Sequence, residues 1–132
     1  MTAPTWNLET IFPGGLTGKA SGDALSASEG EVRALLTRGD ALPALPDGLD
    51  DWVAWLLDVD GITRRLWQCS TFAHCVTCAD TNDRAAARAE ARARAAFSKL
   101  GRAWVGPENL LANGSEDGVE ALLSRPELAR MR

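Results

Sequence analysis

Tyrosine is absent from this 132-residue sequence, histidine occurs once, and the three cysteines all fall between positions 69 and 78. A single histidine, His74, leaves no Ser-His-Asp relay beyond accident and no His-Glu-x-x-His helix. An odd number of clustered cysteines is not a disulfide framework, and a reducing cytoplasm is the natural expectation. The chain also lacks a basic surplus. Fourteen Lys and Arg against eighteen Asp and Glu give a net charge of −4, which argues against a nucleic-acid partner. No apolar run is long enough to cross a membrane, because Asp58, Asp60, Arg64 and Arg65 interrupt the longest candidate. Met1–Asn7 shows no basic region followed by an apolar block, so a secretory leader is not expected.

Alternating apolar and polar stretches are missing as well, and β-branched residues are few. Alanine is abundant, so the expected fold class is all-α. Hydrophobic residues make up 45% and charged residues 24%, a composition suited to a folded core. The expected organisation is one helical domain. Residues 1–22 form an irregular arm, 23–46 a short helix and linker, 47–105 a long antiparallel hairpin, and 106–132 kinked short helices.

In the arm, Trp6, Leu8, Ile11 and Phe12 make a hydrophobic handle before the glycines at 14, 15, 18 and 22. A first helix is expected from Ser26 or Ser28 to Arg38, with Val32, Leu35 and Leu36 inward. Pro43 and Pro46 hold the linker extended. Asp47 or Asp50 can cap the second helix. Leu49, Trp52, Val53, Leu56, Val59, Ile62, Leu66, Phe72, Ala73 and Val76 recur at three- and four-residue steps and carry it to about Ala79. Thr81 or Asn82 can cap a third helix from Asp83 to about Val105, whose Ala85, Ala89, Ala93, Ala96 and Ala103 form a small-residue face. Gly106-Pro107 ends or kinks it, and a last short helix spans Glu116 to Ser124. Folding back near Thr81 sets Asp58 and Asp60 opposite Lys99 and Arg102, a charge match expected to set the register.

The one metal-like constellation is His74, Cys75 and Cys78. They fall within about a third of the helix circumference at 100° per residue, and His74 and Cys78 are one turn apart. A three-ligand site is geometrically conceivable, but a straight helix offers ligands from one side only. Core or interface packing of the cysteines is the favoured reading. Pro13–Ala20 misses the phosphate-loop pattern, with Pro13 for its first Gly and Ala20 for its Ser or Thr. Asn113-Gly114-Ser115 is a glycosylation sequon without a leader to make it meaningful. Arg84, Arg88, Arg92 and Arg94 share one region of the third helix; a solvated face is expected, with docking to an acidic partner second. Trp52 and Trp55, one turn apart, can bridge to another lobe or subunit, which makes a homo-oligomer through exposed apolar faces an open possibility.

Three stretches in order resemble one family. Trp6-Asn7-Leu8-Glu9-Thr10-Ile11-Phe12-Pro13 is similar to the Trp-Asp-Leu-Ser-x-Leu-(Tyr/Phe)-Pro opening of oligoendopeptidase F-like zinc metallopeptidases. Thr71-Phe72-Ala73 with Ala79-Asp80-Thr81-Asn82-Asp83 and the alanine-rich helix resembles that family's helix junction. Val119–Leu123 through Pro126–Ala129 resembles the segment before its next helix. The resemblance implies an N-terminal helical region that walls an oligopeptide cleft and contacts its own catalytic domain. Zinc, held by a His-Glu-x-x-His helix and a later Glu, is implied for a catalytic domain beyond Arg132, and no catalytic residue or cofactor for this chain itself. Asn7 stands where the family has Asp. The ending Ala129-Arg130-Met131-Arg132 agrees with a truncated chain or a proteolytic fragment. The alternative is a free-standing helical interaction or dimerisation module.

Overall fold

A computed structural model describes residues 19–131. Trp6, Phe12 and the rest of the arm lie outside the described residues. Among the described residues five α-helices follow one another, α1 (Lys19–Asp40), α2 (Leu49–Ala79), α3 (Arg84–Ala103), α4 (Val105–Ala112) and α5 (Glu116–Leu123), closed by a 3-10 helix at Pro126–Met131. No strand occurs among the described residues, and the fold is all-α. The three long helices pack against one another, and the short C-terminal elements close one end of the bundle.

The central helix α2 runs 31 residues without interruption. Gly61 does not break it, because the apolar stripe on both sides is buried. Trp52, Val53, Leu56, Val59, Ile62, Leu66, Phe72 and Ala73 lie on that stripe as the spacing predicts, joined by Trp55 and Cys69. The helix begins differently from expectation. Neither Asp47 nor Asp50 caps it; the N-cap is Gly48, with no side-chain bond. Asp50 and Asp51 sit in the first turn instead, where carboxylates favour the positive end of the helix dipole.

Helix α1 is longer than predicted, starting at Lys19 and reaching Asp40. Residues 19–22 are therefore helix and not arm. Ser28 is not a cap; it is fully buried, and its hydroxyl donates to the Ala24 carbonyl at 2.9 Å. Leu25, Val32 and Leu35 are buried, whereas Leu36 is 36% exposed. Burial of Leu25, Val32 and Leu35 outweighs the helix cost of the glycines within α1, about 1 kcal/mol each. Local sequence cannot register that gain.

The α2–α3 connection is tight. Asp80 Oδ1 accepts the Asn82 N–H at 3.0 Å, and Asp83 Oδ1 accepts the N–H groups of Ala85 and Ala86 at 2.9 and 3.0 Å. The cap is thus Asp83, not Thr81 or Asn82, since Asp83 alone reaches two orphan donors of the first turn. Asp83→Ala is expected to cost about 1 kcal/mol, read as a lower urea midpoint at unchanged m-value. The hairpin is antiparallel: Trp67 meets Phe97 and His74 meets Glu90, two pairs symmetric about Asn82.

Charge does not set this register. Asp58 pairs with Arg38 of α1, and Asp60 with Arg64 at 2.8 Å on its own helix. Lys99 and Arg102 are exposed and form no ion pair among the described residues. The buried residues of α3 are four alanines and Leu100, so small apolar side chains decide the fit. Ala86, Ala93, Ala96 and Ala103 are buried, while Ala85 and Ala89 are only half-buried. This face permits close backbone approach, and the acids of α2 turn towards α1 and solvent.

Helix α3 ends at Ala103, and Trp104 links it to α4. Pro107 stands as the third residue of α4, where its missing N–H costs nothing, and it is fully buried. Ser115 caps α5 by accepting the Gly118 N–H at 3.1 Å. Arg125 then ties the C-terminal turn to the start of α2, reaching Asp50 at 2.8 Å and Glu127 at 3.1 Å. The Arg125 guanidinium holds the exposed Glu127 carboxyl below its ordinary range.

Candidate functional site

The tryptophans are distributed by helix phase. Trp52 and Trp55 point along the α2 core stripe and are both 0% exposed. Trp52 Nε1 donates to the Pro43 carbonyl at 2.8 Å, and Trp55 Nε1 to the Leu35 carbonyl at 3.0 Å. Their rings contact edge-on, and Trp55 also meets Trp104 edge-on at 4.8 Å. The expectation that Trp52 and Trp55 bridge to another lobe or subunit is therefore corrected. They are consumed by the chain's own core, because both lie on the stripe that α1 and the linker cover.

Trp67 does the opposite. It is 61% exposed and leans on Phe97 of α3 with ring centroids 5.5 Å apart. Adjacent to buried Leu66, it lies about 100° off the core stripe, a displacement that its position in the repeat already signals. Trp67 and Phe97 form one end of a shallow cavity of about 260 Å³ between α2 and α3. Ser70, His74, Glu90 and Arg94 line the remainder.

At the far end, His74 Nδ1 meets Glu90 Oε1 at 2.9 Å, and His74 Nε2 meets Cys78 Sγ at 3.5 Å. His74 is largely exposed, at 69%, whereas Glu90 is held at 20%. The carboxylate accepts from Nδ1–H, which leaves the Nε2 lone pair facing the thiol.

The cysteines do not share one fate. Cys69 is buried, and burial pushes its thiol up, as expected for an inert core cysteine. Cys75 and Cys78 are exposed, so core packing does not account for them. Both lie in the last two turns of α2, on its exposed side. The three-ligand set His74, Cys75 and Cys78 is not assembled. Among the described residues no group of three or more His, Cys, Asp and Glu side chains is placed to hold a metal ion. What is assembled is the pair His74–Cys78 with Glu90 behind the ring.

The arginines likewise separate. Arg92 is used internally, gripping Glu29 of α1 at 2.9 and 3.2 Å and Ser26 at 3.3 Å. Arg84 and Arg88 are exposed and keep the solvated-face reading. A second concavity between α1 and α2 is bridged by the Arg38–Asp58 and Arg65–Glu31 ion pairs, so its charges are already matched. No helix is long and apolar enough to cross a membrane among the described residues. Compared with protein-family models, curated proteins and solved structures, the chain matches none.

Proposed function

We propose that this chain is a helical domain of an oligoendopeptidase F-like zinc peptidase, walling an oligopeptide cleft without being catalytic itself. The observation that carries the reading is the junction Asp80-Thr81-Asn82-Asp83. The stretch that resembles the family is also the stretch that reverses the chain between α2 and α3. Asp80 and Asp83 have definite work there, closing the turn and capping α3. A hairpin set this firmly suits a rigid wall. Catalysis would fall to residues beyond Arg132, with zinc held there, in a cytoplasmic enzyme.

The coding sequence beyond Arg132 tests this. It is expected to continue into a helix carrying His-Glu-x-x-His and a later Glu. A stop codon directly after Arg132 overturns the reading. The isolated 132-residue chain is expected to leave an internally quenched oligopeptide intact in the presence of zinc, and chelator-sensitive hydrolysis overturns its non-catalytic role. The exposed Trp67–Phe97 ledge favours one second reading, a free-standing interaction or dimerisation module, which a stop codon at that point would support.

A further inference from the structure

We propose that His74 and Cys78 form a surface chelate for a zinc-like transition-metal ion, with Glu90 orienting the imidazole. The site uses none of the ligands that the peptidase reading places beyond Arg132, and it stands apart from that reading.

Three features of the geometry point the same way. First, His74 and Cys78 project from successive turns of α2, and their donor atoms Nε2 and Sγ already lie 3.5 Å apart. In a tetrahedral zinc site with Zn–N near 2.0–2.1 Å and Zn–S near 2.3 Å, the two donors stand about 3.5 Å apart. The pair is therefore spaced as ligands before any metal arrives, and an ion enters by replacing the thiol proton between them. Second, Glu90 on α3 holds Nδ1 at 2.9 Å. A carboxylate on the far nitrogen fixes the tautomer and ring orientation that present Nε2 as a donor, the arrangement usual for metal-bound histidines. Third, His74 and Cys78 are exposed, so an ion has an entry path and room for two further donors from water or another molecule.

Binding releases one proton to solvent: the Cys78 S–H bond breaks, a metal–sulfur bond forms, and the ion keeps its oxidation state. The carboxylate comes from a different helix than the two donors, so the α2–α3 register builds the site. Glu90 is a positioning residue that acts through His74.

Cobalt(II), added to the reduced full chain, is the probe. One ion per chain is expected, with a thiolate-to-cobalt charge-transfer band. Cys78→Ser and His74→Ala are expected to abolish the band, and Cys75→Ser to leave it in place. Glu90→Gln is expected to keep the band while weakening zinc binding about 10-fold or more, measured by competition with a chromophoric chelator. Substitutions at exposed His74, Cys75 and Cys78 leave the core untouched, so loss of the band reports loss of a ligand. No band in the native sequence overturns the proposal. So does a band that survives Cys78→Ser, or one that depends on Cys75. Unchanged zinc affinity in Glu90→Gln overturns the orienting role.

Discussion

Replacing Trp55 with alanine is expected to destabilise the domain by about 3–5 kcal/mol, seen as a large drop in the urea midpoint at unchanged m-value. The indole is wholly buried and stands where α1, α2 and the α3–α4 link converge. It meets Trp52 and Trp104 edge-on and donates to the Leu35 carbonyl of α1. Truncation removes three kinds of contact together: apolar area, ring–ring contact and a buried hydrogen bond. The α1 backbone runs close to the indole there, since a Cβ added at Gly39 would stand 3.2 Å from Nε1 and 3.1 Å from the Ala103 carbonyl. Trp55→Phe keeps most of the volume and loses the N–H, so a smaller loss is expected. Equal losses for the two variants would show that the hydrogen bond, and not the filled volume, dominates.

Gly48→Ala is expected to cost about 3 kcal/mol, from two independent penalties. Gly48 has φ 62°, a left-handed conformation that costs a residue with Cβ roughly 1–2 kcal/mol. An added Cβ would also overlap the ring of Pro43, and overpacking of this kind costs about 1–3 kcal/mol. Pro43 has little freedom to retreat, since its carbonyl holds the Trp52 indole at 2.8 Å. The turn that starts α2 and the burial of Trp52 are thus one mechanical unit. Thermal unfolding of Gly48→Ala measures the effect, and a melting temperature equal to the parent's would refute this coupling. A cap such as Asp or Ser at position 48 is not expected to help, because either carries the same Cβ.

Most of the bundle was legible in the sequence. The three- and four-residue steps from Trp52 to Ala73 reflect a helix that buries one stripe, and local periodicity carries that information whatever the partner. The break at Asp80–Asp83 was legible because orphan N–H groups need nearby acceptors, and these are supplied within three residues; the Ser115 cap was found only in the structure. Individual caps were misassigned where two or three polar residues stood together, since only φ and ψ decide which of them reaches the donors.

Tertiary packing decided the rest. Helix α1 starts earlier than its glycines suggest because burial of Leu25 outweighs local propensity. Asp58 and Asp60 pair elsewhere because α3 meets α2 through alanines, leaving the acids to turn outward. The five tryptophans are chemically alike, yet packing buries Trp52 and Trp55 and leaves Trp67 on a ledge. The His74–Cys78 step was visible as one turn of helix, but its partner Glu90 is sixteen residues away. Sequence by itself determined the helices and their apolar stripes, because both arise from interactions within a few residues. Which side chains face one another across α2 and α3, and hence whether His74 has a carboxylate behind it, was decided only when burial of the alanine face set the two helices in register.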